Sequence, residues 1–389
     1  MRYFKNLEGE PPDAILGLNQ SFAADARQLK VNLGAGVYKT EDLKPYILKT
    51  VKKAEAFLLE CEKSKDYLPI DGSPEFVRLT KELVFGADRQ LEHIYGAQVT
   101  GGTGALRIGG AFLKEAGFKT IYISEPTWDN HQRIFSHAGF RILRYPYFNR
   151  QTNGFDCAQM VEALDKMDKG SVLLLQACCH NPTGCDPTLA EWAILFQKMR
   201  EKRIFPFFDF AYQGFGEGLD QDAQALRTFM QSGLECVVAV SYAKNFGLYA
   251  ERCGVLFVAC QDSNEAGRVG SKIRVIIRGL YSNPPCHGAR IVTKILEDPH
   301  LKEDWERELL GMRLRISEMR LKLAKGLNKE FLSQQKGMFS YTGLDAREVK
   351  QLADSYGIYM PHDGRINVAG LNGDNLSYVI DAILKIQTT

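Results

Sequence analysis

Residues 204–216 read IFPFFDFAYQGFG, an apolar run that ends on a carboxylate, Asp209, and then breaks into a glycine-bearing loop containing Tyr212. A run this short, continuously apolar and rich in aromatics suits a strand buried on both faces. Working outward from Phe205–Asp209, the pattern recurs upstream at Thr120–Ser124 and Ser171–Gln176, and downstream at Cys236–Ser241 and Cys253–Ala259. Amphipathic stretches such as Leu189–Lys202 lie between these runs. The alternation predicts an α/β fold with a mainly parallel sheet covered by helices on both faces. The ends of the chain differ. Residues 1–45 are rich in glycine, proline and polar side chains. Beyond Leu301 a long charged helical pattern runs to Leu327, followed by the short run Met338–Thr342, a helix near Ala346–Tyr356, the run Arg365–Val368 and a last helix near Asn375–Ile386. We read these as a smaller α+β domain made of residues 1–45 and 311–389, around a large domain of residues 46–310.

Composition excludes several classes. The 389 residues, 45% hydrophobic and 25% charged, suit a globular protein with a sizeable core, and a formal net charge of +2 argues against nucleic acid or a membrane surface as partner. No stretch approaches the roughly 18 apolar residues a membrane helix needs. The opening MRYFKNLEGEPP lacks the apolar core of a secretory signal. Nine cysteines, an odd number without a CxxC pair, read as mostly buried, reduced thiols in a cytoplasmic protein. Cys178-Cys179-His180 lacks zinc-ligand spacing, and HExxH, GxSxG and calcium-loop patterns are missing, so no metal is expected.

In open parallel sheets, ligands bind where the strands end. Trp128 follows the first run, Asn181 the second, Asp209 and Tyr212 close the third, Ser241 and Lys244 follow the fourth, and Arg252 borders the fifth. Polar residues recurring at one sheet edge make a site hypothesis, although each has a plainer reading. Asp209 inside an apolar run needs a cationic partner, structural or functional. Lys244 at the end of a buried strand has the burial that turns a lysine into a nucleophile. Trp128 could be core, and His131 and His180 simple hydrogen-bonders. Gly101-Gly102-Thr103-Gly104-Ala105 stands before the apolar helical stretch Leu106–Leu113. It is either an ordinary turn or an anion site at a helix N-terminus. It fits neither GxGxxG nor the nucleotide P-loop.

With these residues in view, the chain resembles the class I aminotransferases of fold type I, in the aspartate and aromatic aminotransferase branch. The resemblance rests on VNLGAGVYK (31–39), YLPIDGSPEF (67–76), GGTGALRIG (101–109), SEPTWDNH (124–131), HNPTGCDP (180–187), DFAYQGFG (209–216), SYAKNFGLYAERCG (241–254), YSNPPCHGARIV (281–292), GMFSYTGL (337–344) and GRINVAG (364–370). It implies a seven-stranded, mainly parallel sheet and pyridoxal 5'-phosphate as cofactor. Lys244 would carry the cofactor as a Schiff base and then move the substrate proton. Asp209 would pair with the ring nitrogen, with His131 behind it. Tyr212 and Asn181 would bond the phenolic oxygen, and Trp128 would stack on the ring. Gly102, Thr103, Ser241 and Arg252 would hold the phosphate, with Tyr67 reaching it from the other subunit. Arg365 would grip the α-carboxylate beside Gly36, Trp128 and Asn181, and Arg278 would cross a dimer interface to the side-chain carboxylate. The N-terminal arm, residues 1–12, would clasp the partner in a homodimer.

The implied reaction is ping-pong transamination between amino acids and 2-oxo acids, with L-aspartate and 2-oxoglutarate as substrates and aromatic amino acids left open as further ones. Gln176 stands where many relatives carry histidine, Gly101 where serine is common and Ala250 where asparagine is frequent. Two other readings compete: a different fate of the same cofactor adduct, which the second carboxylate clamp Arg278 argues against, and a non-catalytic cofactor-sensing module, for which a DNA-binding extension and a basic stripe are missing.

Overall fold

The computed structural model describes residues 2–9, 14–87 and 91–387. Its central sheet has seven strands: β1 (Ile94–Thr100), β2 (Thr120–Glu125), β3 (Arg141–Pro146), β4 (Val172–Gln176), β5 (Phe205–Phe210), β6 (Cys236–Ser241) and β7 (Cys253–Ala259), in the order β1-β7-β6-β5-β4-β2-β3. All five runs read from the sequence are strands. The two not foreseen, β1 (IYGAQVT) and β3 (RILRYP), are the edges of the sheet, where polar and charged residues interrupt the apolar pattern. Strand β7 runs antiparallel to both its neighbours, β1 and β6, and every other pairing is parallel. That reversal has a chemical consequence: it brings the residue entering β7, Arg252, to the edge where β4, β5 and β6 end.

Both faces of the sheet are buried, which explains the uninterrupted apolar runs. Leu173, Leu175, Phe208, Phe210, Val238 and Val240 enter one core, and Val172, Leu174, Phe207, Val237 and Ala239 enter the other. Each valine, leucine or phenylalanine among them, fully withdrawn from water, stabilises the fold by about 1.5–3 kcal/mol. The period of two carries past the last apolar residues. Gln176, Asp209 and Ser241 thus fall on the same face as the second set, which is also the face covered by the helix Gly101–Glu115.

That helix corrects one expectation. The glycine segment does not precede the helix but forms its first turn, since the helix begins at Gly101. Glycine's low helix propensity yields to a tertiary requirement for close approach. Gly101 has φ +73°, and a Cβ there would meet the Arg252 guanidinium at 2.9 Å. A Cβ on Gly254 would lie 2.5 Å from the Val240 carbonyl and 2.9 Å from the Gly101 backbone.

The helix Leu189–Lys202 opens on a capping box, in which the Thr188 hydroxyl accepts from the Glu191 N–H and the Glu191 carboxylate accepts from the Thr188 N–H. Thr188→Ala is expected to cost about 1 kcal/mol, read as a lower urea midpoint with an unchanged slope.

Beyond the sheet, the two ends of the chain meet. Val31–Asn32 pairs in parallel with Ile358–Tyr359, and Phe339–Tyr341 pairs antiparallel with Arg365–Asn367. The helices Ala346–Tyr356 and Leu376–Gln387 lie near the positions read from the sequence. The helix Pro299–Leu327, 29 residues long, passes unbroken through the expected division at 310/311. It is tied to the segment after β6: Trp305 stacks on Phe246 at 4.3 Å and donates its indole N–H to the Asn245 carbonyl at 2.8 Å. All nine cysteines are free, six of them buried. Among the described residues no helix is long and apolar enough to cross a membrane.

Candidate active site

The ends of β4, β5 and β6, the first turn of the helix Gly101–Glu115 and the strand Arg365–Asn367 enclose a cavity of about 240 Å³. Eleven residues singled out in the sequence line it: Gly36, Gly102, Thr103, Trp128, Asn181, Asp209, Tyr212, Ser241, Lys244, Arg252 and Arg365. A larger hollow of about 500 Å³ beside Leu83, Arg227 and Arg313 gathers none of them.

Lys244 lies just beyond β6 with its Nζ 5.0 Å from the centre of the Tyr212 ring. Burial pulls its pKa below the ordinary lysine value; the Asp209 carboxylate opposes that shift and Arg252 adds to it. The neutral amine is therefore closer to hand than in an exposed lysine. Burial also pushes the Tyr212 phenol upward, so it stays a hydrogen-bond donor.

Asp209 is buried at the end of β5, and its Oδ2 lies 3.0 Å from His131 Nε2. The Nδ1 of His131 lies 2.8 Å from the Thr127 hydroxyl, and the imidazole meets Trp128 edge-on at 5.2 Å. An ionised Asp209 requires the Nε2–H tautomer, which leaves Nδ1 to accept from Thr127. No lysine or arginine pairs with Asp209 among the described residues. The other oxygen is thus available to a cationic group in the cavity.

At the opposite wall, Gly102 and Thr103 stand in a first helical turn whose N–H groups have no partner within the helix, and Thr100 supplies no side-chain cap. Ser241 is buried beside Gly102, where a Cβ would lie 3.1 Å from the serine Cβ. Arg252 completes a cradle of donors, dipole and positive charge suited to a phosphate.

Arg365 is buried, and its guanidinium packs 4.5 Å above the Phe339 ring. Nη1 donates to the Asn181 side-chain oxygen at 3.2 Å and Nη2 to the Gly34 carbonyl at 3.4 Å. Nε has no partner, and no carboxylate among the described residues pairs with this cation. A buried guanidinium without a counter-charge is costly unless a carboxylate joins it.

Three residues fall outside the cavity. His131 lies behind Asp209, in hydrogen-bond contact with it. Tyr67 is 87% exposed, and Arg278, exposed at the end of the helix Ser263–Leu280, bonds the Ser282 hydroxyl. His180 is also elsewhere, stacked on Tyr147 and bonded to Ser124 and Thr183, with burial holding it neutral. The sequence reading missed Leu106, Ala211, Ala243, Tyr249 and Phe339 in the wall. Tyr249 had a usable signal, a phenol five residues past Lys244; its hydroxyl accepts from the Tyr38 N–H at 2.9 Å and anchors the segment carrying Gly36.

Comparison with known proteins gives one answer. The sequence matches the family described as aminotransferase class I and II over residues 29–383. The aspartate aminotransferase of Escherichia coli K12 is 44% identical over 98% of this chain and all of its own length. An aromatic-amino-acid aminotransferase from Burkholderia pseudomallei, solved covalently bound to pyridoxal phosphate, superposes with a TM-score of 0.97 at 42% identity, over 99% of this chain and 100% of that one. The cytoplasmic aspartate aminotransferase of Saccharomyces cerevisiae gives a TM-score of 0.95 at 37% identity, over 99% and 98%. Matched along residues 29–383 and 44% identical to a relative over nearly its whole length, the chain belongs to the class I and II aminotransferases.

Proposed function

We propose that this aminotransferase moves the amino group reversibly between L-aspartate and 2-oxoglutarate in a ping-pong sequence, and that it also takes aromatic amino acids. The observation that carries the substrate reading is the buried Arg365 with its unpartnered Nε, facing the same cavity as Lys244. Its planar fork suits the α-carboxylate. The names of the Escherichia coli and Burkholderia relatives support the two substrate classes in turn.

The cofactor is pyridoxal phosphate, which when bound supplies an electron sink for the charge released as the substrate Cα–H bond breaks. The donor set fits it: Lys244 to hold the aldehyde carbon, Asp209 the ring nitrogen, Tyr212 and Asn181 the phenolic oxygen, Trp128 the ring face, and Gly102, Thr103, Ser241 and Arg252 the phosphate. His131 orients Asp209 and shares its charge. With its amine free, Lys244 would take the proton from the substrate Cα, a task suited to its depressed pKa.

The exposed Tyr67 and Arg278 support a homodimer in which each subunit completes the other's site. Within residues 2–9 of the N-terminal arm, Tyr3, Phe4 and Leu7 are exposed apolar side chains suited to a partner surface; residues 1 and 10–12 of that arm lie outside the described residues. Residues 1–45 and 311–389 would close as a small domain over the large one and exclude water from the deprotonated substrate. The use of nine free thiols supports a cytoplasmic location.

The test is the absorption spectrum of the purified protein with pyridoxal phosphate. A near-visible band is expected to form, to disappear with L-aspartate and to return with 2-oxoglutarate. A band that responds only to an aromatic amino acid would move the substrate assignment, and no band in folded protein would refute Lys244 as the cofactor lysine.

A further inference from the structure

Gln176 is the last residue of β4, and its neighbour in register on β5 is Asp209. The two side chains stand side by side on one face of the sheet, against the same cavity. Gln176 is buried, and a single residue engages both ends of its carboxamide. Its Nε2–H donates to the main-chain oxygen of Asn181 at 2.9 Å, and the main-chain N–H of Asn181 donates to its Oε1 at 2.8 Å. Asn181, held in this way, presents its own side chain to Arg365. Both bonds at once require a neutral group with one donor and one acceptor. A carboxylate lacks the donor, an ammonium lacks the acceptor and an alkyl chain lacks both.

We infer that Gln176 is a positioning residue: it sets where the Asn181 carboxamide stands in the cavity and keeps the wall beside Asp209 free of charge. The inference rests on the proposed contact between Asn181 and the cofactor's phenolic oxygen. A donor fixed at that oxygen stabilises its negative charge and lowers the proton affinity of the Lys244-bound group. The charged and titratable groups around Gln176 among the described residues are Asp209 on the next strand with His131 behind it, and Lys244, Arg252, Arg365 and the Tyr212 and Tyr249 phenols around the cavity. An amide adds no charge to this set. A carboxylate in its place would face Asp209 across one strand spacing, about 4.8 Å.

Gln176→Leu and Gln176→Glu separate these roles in the full-length protein loaded with pyridoxal phosphate. In Gln176→Leu both bonds are lost, and the pKa read from the visible absorption of the Lys244-bound cofactor is expected to rise by about half a unit, the equivalent of one ordinary hydrogen bond. KM for aspartate should rise more than kcat falls, because Asn181 no longer steadies Arg365. In Gln176→Glu the protonated carboxyl offers the same donor and acceptor as the amide. That variant is expected to match the parent at low pH and to move beyond Gln176→Leu once the carboxyl ionises. If Gln176→Leu fails to hold the cofactor, the isosteric Gln176→Glu decides alone. A spectral pKa within about 0.1 unit of the parent across the pH range, with the cofactor band intact, overturns the inference. Absence of the band from the parent itself is a different failure, which removes the transaminase reading and this inference with it.

Discussion

A Lys244→Ala variant is expected to lose aspartate–2-oxoglutarate exchange by on the order of 10⁴-fold or more, with its fold intact. Two functions disappear together: the amine that holds the cofactor, and the base that takes the Cα proton, which alone contributes about 10²–10⁴-fold. Stability should not suffer. Burial lowers the folded-state pKa of Lys244 below its unfolded value, so the charged form is disfavoured by folding, and at neutral pH the ammonium is a small burden on the native state. That burden is full below the depressed folded value and is relieved as pH rises from it to the unfolded lysine value. Alanine removes it at every pH, so the thermal midpoint near pH 7 should hold or rise slightly. Steady-state kinetics alongside calorimetry check both halves. Activity above about one per cent of the parent would require another base, and a collapsed midpoint would make Lys244 a structural residue.

How much of this was legible in the sequence depends on where each residue's partners lie. The inner strands announced themselves because burial on both faces forces uninterrupted apolar runs, as in Leu173–Leu175 and Phe207–Phe208. The edge strands β1 and β3 did not, because an edge tolerates Gly96, Arg141 and Arg144. Gly101 reads as a turn in isolation and sits in a helix because Arg252, 151 positions away and delivered by an antiparallel strand, occupies the space of its Cβ. Lys244, Asp209, Ser241 and Asn181 could be picked out as strand-end residues, since their positions follow from the sheet itself. Arg365 could not. Its partners Asn181 and Gly34 are separated from it by 184 and 331 positions, and only the resemblance gave it a role. In the sequence Gln176 was merely a departure from a common histidine; its two bonds to Asn181 give it a function.

Arg278 tests the subunit-sharing part of the reading. Within one chain its guanidinium is exposed and does not line the cavity, so Arg278→Ala should leave the chain's own fold and cofactor site untouched. If the arginine instead completes the partner's site, its loss strands the substrate's side-chain carboxylate in a closed, dry cavity. That costs about 2–5 kcal/mol of transition-state binding, roughly 30- to 5,000-fold in kcat/KM for aspartate. Phenylalanine brings no second carboxylate and should be far less affected. The two variants then make a combined test. In a hybrid dimer of one Lys244→Ala chain and one Arg278→Ala chain, one site lacks both groups. The other site has the Arg278→Ala chain's lysine and its partner's arginine, and so is complete. Random reassembly of equal amounts makes half the dimers hybrid, each with one good site. Two nearly inactive preparations should therefore recover about a quarter of the parent activity toward aspartate. Recovery of that size requires the arginine to act across the interface. A mixture no more active than its parts, with hybrids verified by mass, would place Arg278 outside the partner's site and leave Arg365 as the carboxylate clamp that this chain supplies.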